Sequence, residues 1–203
     1  MRIAKFALAI VFAVAGIVLL SDQKAVANGG IPLAALAGNY SNTTQGSYSL
    51  CLNPVTFAGV DCATFSGPLV LPQTYLTLGE ATRDVNGNSC ATHIDVNTSL
   101  PVDNTPPFVQ GGHPTLSKII DYDPGTGTGD MSLTTYSGGR CNGATFDSGG
   151  ATEIATATAH FAASNGGKRI DLIITSLVGF VTDTTGNVFG DFSLSGTLLK
   201  QEN

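Results

Sequence analysis

The sequence predicts an all-β protein: an antiparallel meander of about eight strands that closes into an up-and-down barrel. Three observations predict it. Apolar and polar residues alternate along short runs, turn residues separate the runs, and no long stretch has the period of a helix. Sequential antiparallel strands can close on themselves and leave no free edge, so a barrel is favoured. A two-sheet β-sandwich is the alternative.

The longest apolar run beyond the N-terminus is Lys168–Phe180, which is rich in β-branched residues. Turn residues precede it in Ser164–Gly167 and follow it in Asp183–Asn187, so we predict a strand with a hairpin on either side. Its apolar residues fall on both faces, and a strand of that kind is expected to be covered on both. We therefore expect Ile173 and Leu177, on one face, to meet either residues 31–36 or a second copy of the chain.

The same pattern predicts the remaining strands. They are Tyr40–Leu52, Pro68–Asp84 with a break near Pro72, Ser89–Leu100, Ser117–Asp123, Asp130–Tyr136, Ala151–Ala163 and Phe189–Lys200. Asn86-Gly87 is the clearest hairpin signal, because this pair supplies the positive φ angles of a tight turn. The stretches Pro101–Pro114 and Ser137–Gly150 are predicted to be long irregular loops.

The first 27 residues have the organisation of a secretory signal peptide. A basic start, Met1–Lys5, precedes an uncharged apolar stretch, Phe6–Leu20, and the small-x-small sequence Ala25-Val26-Ala27. The apolar stretch is shorter than the ~20 residues that a membrane-spanning helix needs. We expect cleavage there, one β-barrel domain over residues 28–203, and a secreted, periplasmic or cell-surface location.

The charge of the chain limits its partners. Cleavage would leave six Lys and Arg against fourteen Asp and Glu, a net charge of −8. So few cations cannot neutralise many phosphates, which argues against nucleic acid as a partner. The same count argues against polybasic attachment to a membrane.

Four cysteines remain in the mature chain, and an even number in an exported protein predicts two disulfides. Three pairings are possible. We favour Cys51–Cys62 with Cys90–Cys141, because the first bond would close one short loop, worth about 3 kcal/mol in the chain-entropy model. No CxxC or CxxH spacing is present, so zinc has little support.

Two predicted strands carry faces suited to a barrel interior. Ala155, Ala157, Ala159 and Phe161 share one face of the first, and Phe192 and Leu194 are aligned on the second. The small alanine side chains would leave room inside the barrel. We expect these six residues to line a site for a small apolar ligand.

Gly38-Asn39-Tyr40 resembles the opening Gly-x-Trp of lipocalins, with tyrosine in place of tryptophan. The predicted architecture also resembles the calycin-type barrel of that family, which holds small ligands inside. The resemblance implies a ligand-binding barrel rather than an enzyme.

Asp121, Asp123 and Asp130 flank a flexible glycine-rich loop. Carboxylates grouped in this way can supply part of the oxygen shell of calcium, so the three residues are a candidate calcium site. Asp and Gly are also the residues that tight turns use, and that alternative stays open.

His93, Asp95 and Asn97 share one face of a predicted strand. Together with His113 or His160 they could form a metal or acid–base site. The favoured interpretation is simpler: these residues are the solvated polar half of an alternating strand.

These observations favour an exported, non-enzymatic β-barrel that binds a small apolar ligand. No catalytic residue and no cofactor is indicated. The alternatives are a structural or adhesive surface protein, a small outer-membrane β-barrel, and an enzyme whose site the sequence does not reveal.

Overall fold

The computed structural model describes residues 30–97, 108–181 and 184–202, with the backbone alone at 95–97, 108–112, 180–181 and 184–185. The predicted signal peptide, residues 1–27, and most of the predicted loop Pro101–Pro114 lie outside the described residues. The described part of the chain contains no helix long and apolar enough to cross a membrane.

The described residues form β-strands joined by turns, with two short 3-10 segments, η1 (Leu33–Leu36) and η2 (Asn165–Gly167). The strands are β1 (Gly38–Leu52), β2 (Leu69–Arg83), β3 (Asn88–Asn97), β4 (Phe108–Asp123), β5 (Thr128–Tyr136), β6 (Arg140–Asn142), β7 (Thr145–Asp147), β8 (Glu153–Ser164), β9 (Arg169–Val181), β10 (Thr184–Asn187) and β11 (Phe189–Lys200).

Eight of these strands form a closed antiparallel barrel in the order β1-β2-β3-β4-β5-β8-β9-β11, and β11 pairs back with β1. Each barrel strand therefore pairs with the strands before and after it in the chain, which is the up-and-down arrangement predicted from the sequence. The all-β barrel prediction is confirmed. The small strands β6 and β7 form a separate hairpin that contacts β3, and β10 pairs only with β9.

Three boundaries differ from the predictions. β4 begins at Phe108, so residues 108–114 belong to a strand rather than a loop, and the predicted loop Ser137–Gly150 contains the β6–β7 hairpin. Strand β2 is not broken at Pro72, which is paired with Ser49. β2 pairs with β3 only from Tyr75 onward, so Pro72 has a described neighbour on one side only, where a strand tolerates proline.

The predicted hairpin between β2 and β3 is confirmed, with a different turn geometry. Asn86 does not have a positive φ, whereas Gly87 does, at 84°. Asp84 organises this turn: its carboxylate accepts hydrogen bonds from the backbone N–H groups of Asn86 and Asn88, at 2.9 and 2.8 Å. Such side-chain bonding is why Asp is favoured at the first position of a turn.

Two disulfides, Cys51–Cys62 and Cys90–Cys141, have the pairing that we favoured. The first joins the end of β1 to the connection that follows it. The second ties β6 to β3 and so holds the β6–β7 hairpin against the barrel. Two disulfides in one chain are typical of an oxidising extracellular or periplasmic environment.

One end of the barrel is covered by η1 and by the turns after β2, β4 and β8. Leu36 of η1 is fully buried, and the hydroxyl of Tyr40 lies 2.8 Å from the Leu36 carbonyl oxygen and 2.9 Å from that of Gly167. Just before η1 in the chain, the Ile31 N–H donates to the carbonyl oxygen of Pro124 in the turn after β4. Residues 31–36 therefore pack against this end of the barrel. They do not cover the outer face of β9, which was one of the two predicted alternatives for Ile173 and Leu177.

Candidate functional site: the barrel cavity

A cavity of about 190 Å³ lies inside the barrel. Its lining divides into two halves that follow the order of the strands. We call the polar residues from β1–β4 the polar wall: Asn42, Thr44, Thr77, Arg83, Ser89, His93, His113, Thr115 and Ser117. We call the apolar residues from β5, β8, β9 and β11 the apolar wall: Met131, Leu133, Ile154, Ala155, Ala157, Leu172, Ile174, Leu177, Leu194 and Leu198.

The division is not absolute, since Tyr75, Ala81 and Ala91 also line the cavity among the polar strands and Thr135 among the apolar ones. It is nevertheless strong enough to give the cavity two chemically different sides. A guest would meet hydroxyl, imidazole and guanidinium groups on one side and aliphatic side chains on the other.

The polar wall contains one permanently charged group, the guanidinium of Arg83 at the end of β2. Arg83 is only 3% exposed. Its Nη1 donates to the Gly87 carbonyl oxygen at 2.9 Å, and its Nη2 donates to the Ser117 hydroxyl at 3.4 Å. Burial lowers the pKa of Arg83, an effect that Tyr40 and Asp84 partly offset. An arginine stays protonated under such conditions because a guanidinium releases its proton only in strongly alkaline solution.

Two histidines belong to the same wall, His93 on β3 and His113 on β4, and they are paired across these strands. The Nδ1 of His113 lies 3.2 Å from the Tyr136 carbonyl oxygen. A carbonyl oxygen only accepts, so Nδ1 carries the proton and Nε2 is the acceptor atom of the neutral ring.

The position of His93 corrects our interpretation of β3. We expected the face that carries His93, Asp95 and Asn97 to be solvated, but His93 is 7% exposed and lines the cavity, whereas Ile94 is 48% exposed on the outer face. The side chains of Asp95 and Asn97 are outside the described residues. His160 lies on the outer face of β8, where its Nδ1 donates to Asp130 at 2.9 Å.

The six predicted lining residues occupy three different positions. Ala155, Ala157 and Leu194 line the cavity. Ala159 and Phe161 face the same interior but are fully buried in the packed core, where Phe161 stacks on Tyr122 with 5.8 Å between ring centroids. Phe192 is partly buried against that core. The predicted face is thus interior, but it fills one part of the barrel and lines the cavity in another.

Glycine at position 129 makes the packing around Phe161 possible. A Cβ atom at Gly129 would lie 2.2 Å from the Asp121 carbonyl oxygen and 2.9 Å from the Phe161 ring. The ring can therefore fill the barrel beside β5 only because this residue has no side chain.

The predicted calcium ligands are engaged in other contacts. Asp123 accepts from the Gly125 N–H at 2.8 Å and from the Thr126 hydroxyl at 3.0 Å, and Asp130 accepts from His160. Asp121 lies opposite Asp130 in the sheet. Within the described ranges, no three His, Cys, Asp or Glu side chains are grouped as a metal ion would require. Calcium binding by Asp121, Asp123 and Asp130 stays a prediction.

The two residues proposed for self-association lie on opposite faces of β9. Ile174 is paired with Ala159 and Ser176 with Thr158, so Thr175 is an extra residue that forms a bulge. Because of the bulge, Leu177 returns to the interior and lines the cavity, whereas Ile173 is outside and 63% exposed. Simple alternation put both on one face and was wrong. Self-association through Ile173 stays a prediction, which the mass of the protein in solution would test.

Sequence reasoning missed Arg83 and most of the polar wall. A signal was present: Tyr75, Thr77, Ala81 and Arg83 share one face of β2, opposite Leu76 and Leu78. Simple alternation would assign the leucine face to the interior, yet Leu78 is 49% exposed. The only hint in the sequence is that Arg83 is a cation at the end of a face whose other residues are uncharged.

The chain matches no protein-family model, and no curated protein or solved structure shows significant similarity to it.

Proposed function

We propose that this protein is an exported, non-enzymatic binding protein that holds one small ligand inside its barrel. The observation that carries the proposal is the cavity of about 190 Å³ with a polar and an apolar wall. Apolar cavities of about 150 Å³ accept a benzene molecule. This cavity suits a molecule slightly larger than benzene, with an apolar body and a polar group.

The lining changes the predicted ligand. We expected a small apolar molecule, but half of the lining consists of polar side chains. Two buried polar atoms of this wall, Asn42 Oδ1 and Arg83 Nε, have no hydrogen-bond partner within the described residues, and a purely apolar guest would leave both unpaired. An amphipathic guest suits both walls.

The outer face of two barrel strands argues against the outer-membrane alternative. On neighbouring strands β1 and β11 the outer face is a groove lined mostly by polar side chains: Ser41, Thr43, Gln45, Ser195 and Thr197. A membrane barrel needs an apolar band where these hydroxyl groups lie. Export remains part of the proposal and rests on the signal-peptide pattern and the two disulfides; a mature N-terminus at Asn28 would support it.

A cavity-filling substitution tests the proposal. In Ala157→Phe an aromatic ring would occupy the cavity beside Leu133 and Leu177, its neighbours across the sheet. The control is Ala162→Phe on the same strand, which adds the same ring at an exposed position. We expect calorimetric titration to show that the wild-type protein and Ala162→Phe bind a single molecule of benzyl alcohol.

We expect Ala157→Phe to bind it at least tenfold more weakly, because the ring takes the space of the ligand. Circular dichroism would check that all three proteins are folded. Equal binding by the two variants would contradict a ligand site inside the barrel.

A further inference from the structure

Arg83 has a donor that no described residue satisfies. The guanidinium carries five N–H donors, and the two hydrogen bonds to Gly87 and Ser117 use only its Nη atoms. Its Nε is buried and has no hydrogen-bond partner within the described residues. The bond from Nη2 to Ser117 is long, at 3.4 Å, so that side of the guanidinium is weakly held.

The positive charge of Arg83 also lacks a carboxylate partner among the described residues. The ion pairs seen there join Arg140 to Asp147, His160 to Asp130, Lys168 to Glu202 and Arg169 to Asp171. Asp84, the next residue in the chain, is engaged in its own turn with Asn86 and Asn88. No Asp or Glu is among the described residues that line the cavity. Asp84 offsets only part of the cost of burying the Arg83 charge, and an anion beside the guanidinium would relieve the rest.

We propose that the ligand is a small carboxylate whose carboxylate group binds the Arg83 guanidinium and whose compact apolar body lies against Met131 and Leu133. This inference rests on the proposed function and names the chemical class of its ligand. Arginine is suited to the task because its planar fork matches the geometry of a carboxylate. Ser89 and Ser117, which line the cavity beside Arg83, supply further hydroxyl donors.

The size of the cavity narrows the class further. A phenyl ring or a short branched alkyl chain with one carboxylate fits about 190 Å³, whereas a long-chain fatty acid does not. The acidic surface adds a second restriction. With a net charge of −6 over the full chain, the protein repels polyanions more strongly than monoanions.

Benzoate and benzamide provide a matched pair of probes, because they have nearly the same shape and differ in charge. We expect the wild-type protein, with both disulfides formed, to bind benzoate at least tenfold more tightly than benzamide in a calorimetric titration. Arg83→Gln removes the cation but keeps a polar side chain, so the preference for benzoate should disappear. Arg140→Gln removes one charge at an exposed position of β6 and should keep the preference.

The outcomes separate this inference from the proposed function. If benzyl alcohol binds but benzamide binds as well as benzoate, the ligand site stands and the carboxylate proposal is overturned. The carboxylate proposal is also overturned if Arg83→Gln keeps the preference for benzoate over benzamide, since Arg83 would then have only a structural role. If the wild-type protein binds none of the three probes, benzyl alcohol, benzoate and benzamide, the proposed function itself fails. If Arg83→Gln does not fold, the affinities of the wild-type protein for benzoate and benzamide decide whether the cavity selects a negative charge.

Discussion

At the scale of single residues, Arg83 and Asp84 explain much of the site. They are adjacent in the chain and opposite in charge, yet Asp84 offsets only part of the effect of burial on Arg83. Arg83 ends β2 and points into the cavity, whereas Asp84 begins the turn and receives three hydrogen bonds from Asn86 and Asn88. The turn thus occupies the carboxylate that could have paired with Arg83, and the cation remains available to a guest.

Asp84 should make the stability of the protein depend on pH. The hydrogen bond from the Asn88 side chain, helped by the backbone N–H groups of Asn88 and Asn86, lowers the pKa of Asp84. A carboxyl group with a lowered pKa in the folded state stabilises the protein at pH values above its unfolded pKa of about 3.9. That stabilisation is lost as the pH falls through the folded pKa.

We therefore expect Asp84→Ala to lower the free energy of unfolding by about 1 kcal/mol at neutral pH, allowing for its partial exposure to solvent. The difference from wild type should shrink as the pH falls below about 4. Denaturant unfolding across this pH range measures it. Glu80→Ala, at an exposed position of β2, is the control and should change stability little. A difference that stays constant with pH would show that the charge of Asp84 has no part in holding the turn.

At the scale of elements, the sequence predicted where strands lie better than which face is inside. The bounds of β1, β2, β9 and β11 agree with the predictions within about two residues, because turn residues mark them clearly. The faces of β2 and β3 were harder, since alternation assigns the apolar face to the interior. In this barrel β2 and β3 direct mostly polar side chains to the interior, so Leu78 and Ile94 are outside and His93 is inside.

The bulge in β9 shows a second limit of sequence reasoning. One extra residue, Thr175, moves Leu177 from the outer face to the inner face. Nothing in the alternation of apolar residues marks that position, because the run is apolar on both sides of it. Three of the lining residues, Ala155, Ala157 and Leu194, were predictable because alternation is regular where they lie; the register shifts of β8 and β11 fall before them, at Ile154 and between Phe189 and Phe192. The position of Arg83 in the cavity lining was not predictable, because it depends on which strands surround Arg83 in the folded barrel.

The two disulfides should contribute unequally to stability. They close loops with sequence separations of 11 residues for Cys51–Cys62 and 51 residues for Cys90–Cys141. In the chain-entropy model the longer loop restricts the unfolded chain more, about 4 kcal/mol against about 3 kcal/mol. We expect the double variant Cys90→Ala/Cys141→Ala to be the less stable of the two double variants in denaturant unfolding.

Each double variant is the control for the other, because both replace two buried or half-buried cysteines by alanine. A larger loss for Cys51→Ala/Cys62→Ala would indicate that the connection between β1 and β2 matters more to the folded barrel than loop entropy does.

At the scale of the whole molecule, the distribution of charge is the distinguishing feature. The chain as a whole is acidic, with a net charge of −6, while the described cavity lining contains a guanidinium and no carboxylate. The barrel closes one end with η1, Tyr40 and Phe161 and leaves space beyond them. A packed end, a cavity with unlike walls and a buried cation together suggest a container for a small anion with an apolar body.

The most direct test is to locate a bound probe in solution. Nuclear Overhauser contacts would be recorded between the ring protons of benzoate and the methyl groups of the folded protein. We expect contacts to Met131, Leu133 and Leu172, which line the cavity, and none to Leu78 or Ile94, which are exposed on the outer face. Contacts to Leu78 and Ile94 without contacts to the cavity residues would place the ligand outside the barrel and contradict a ligand site in the cavity.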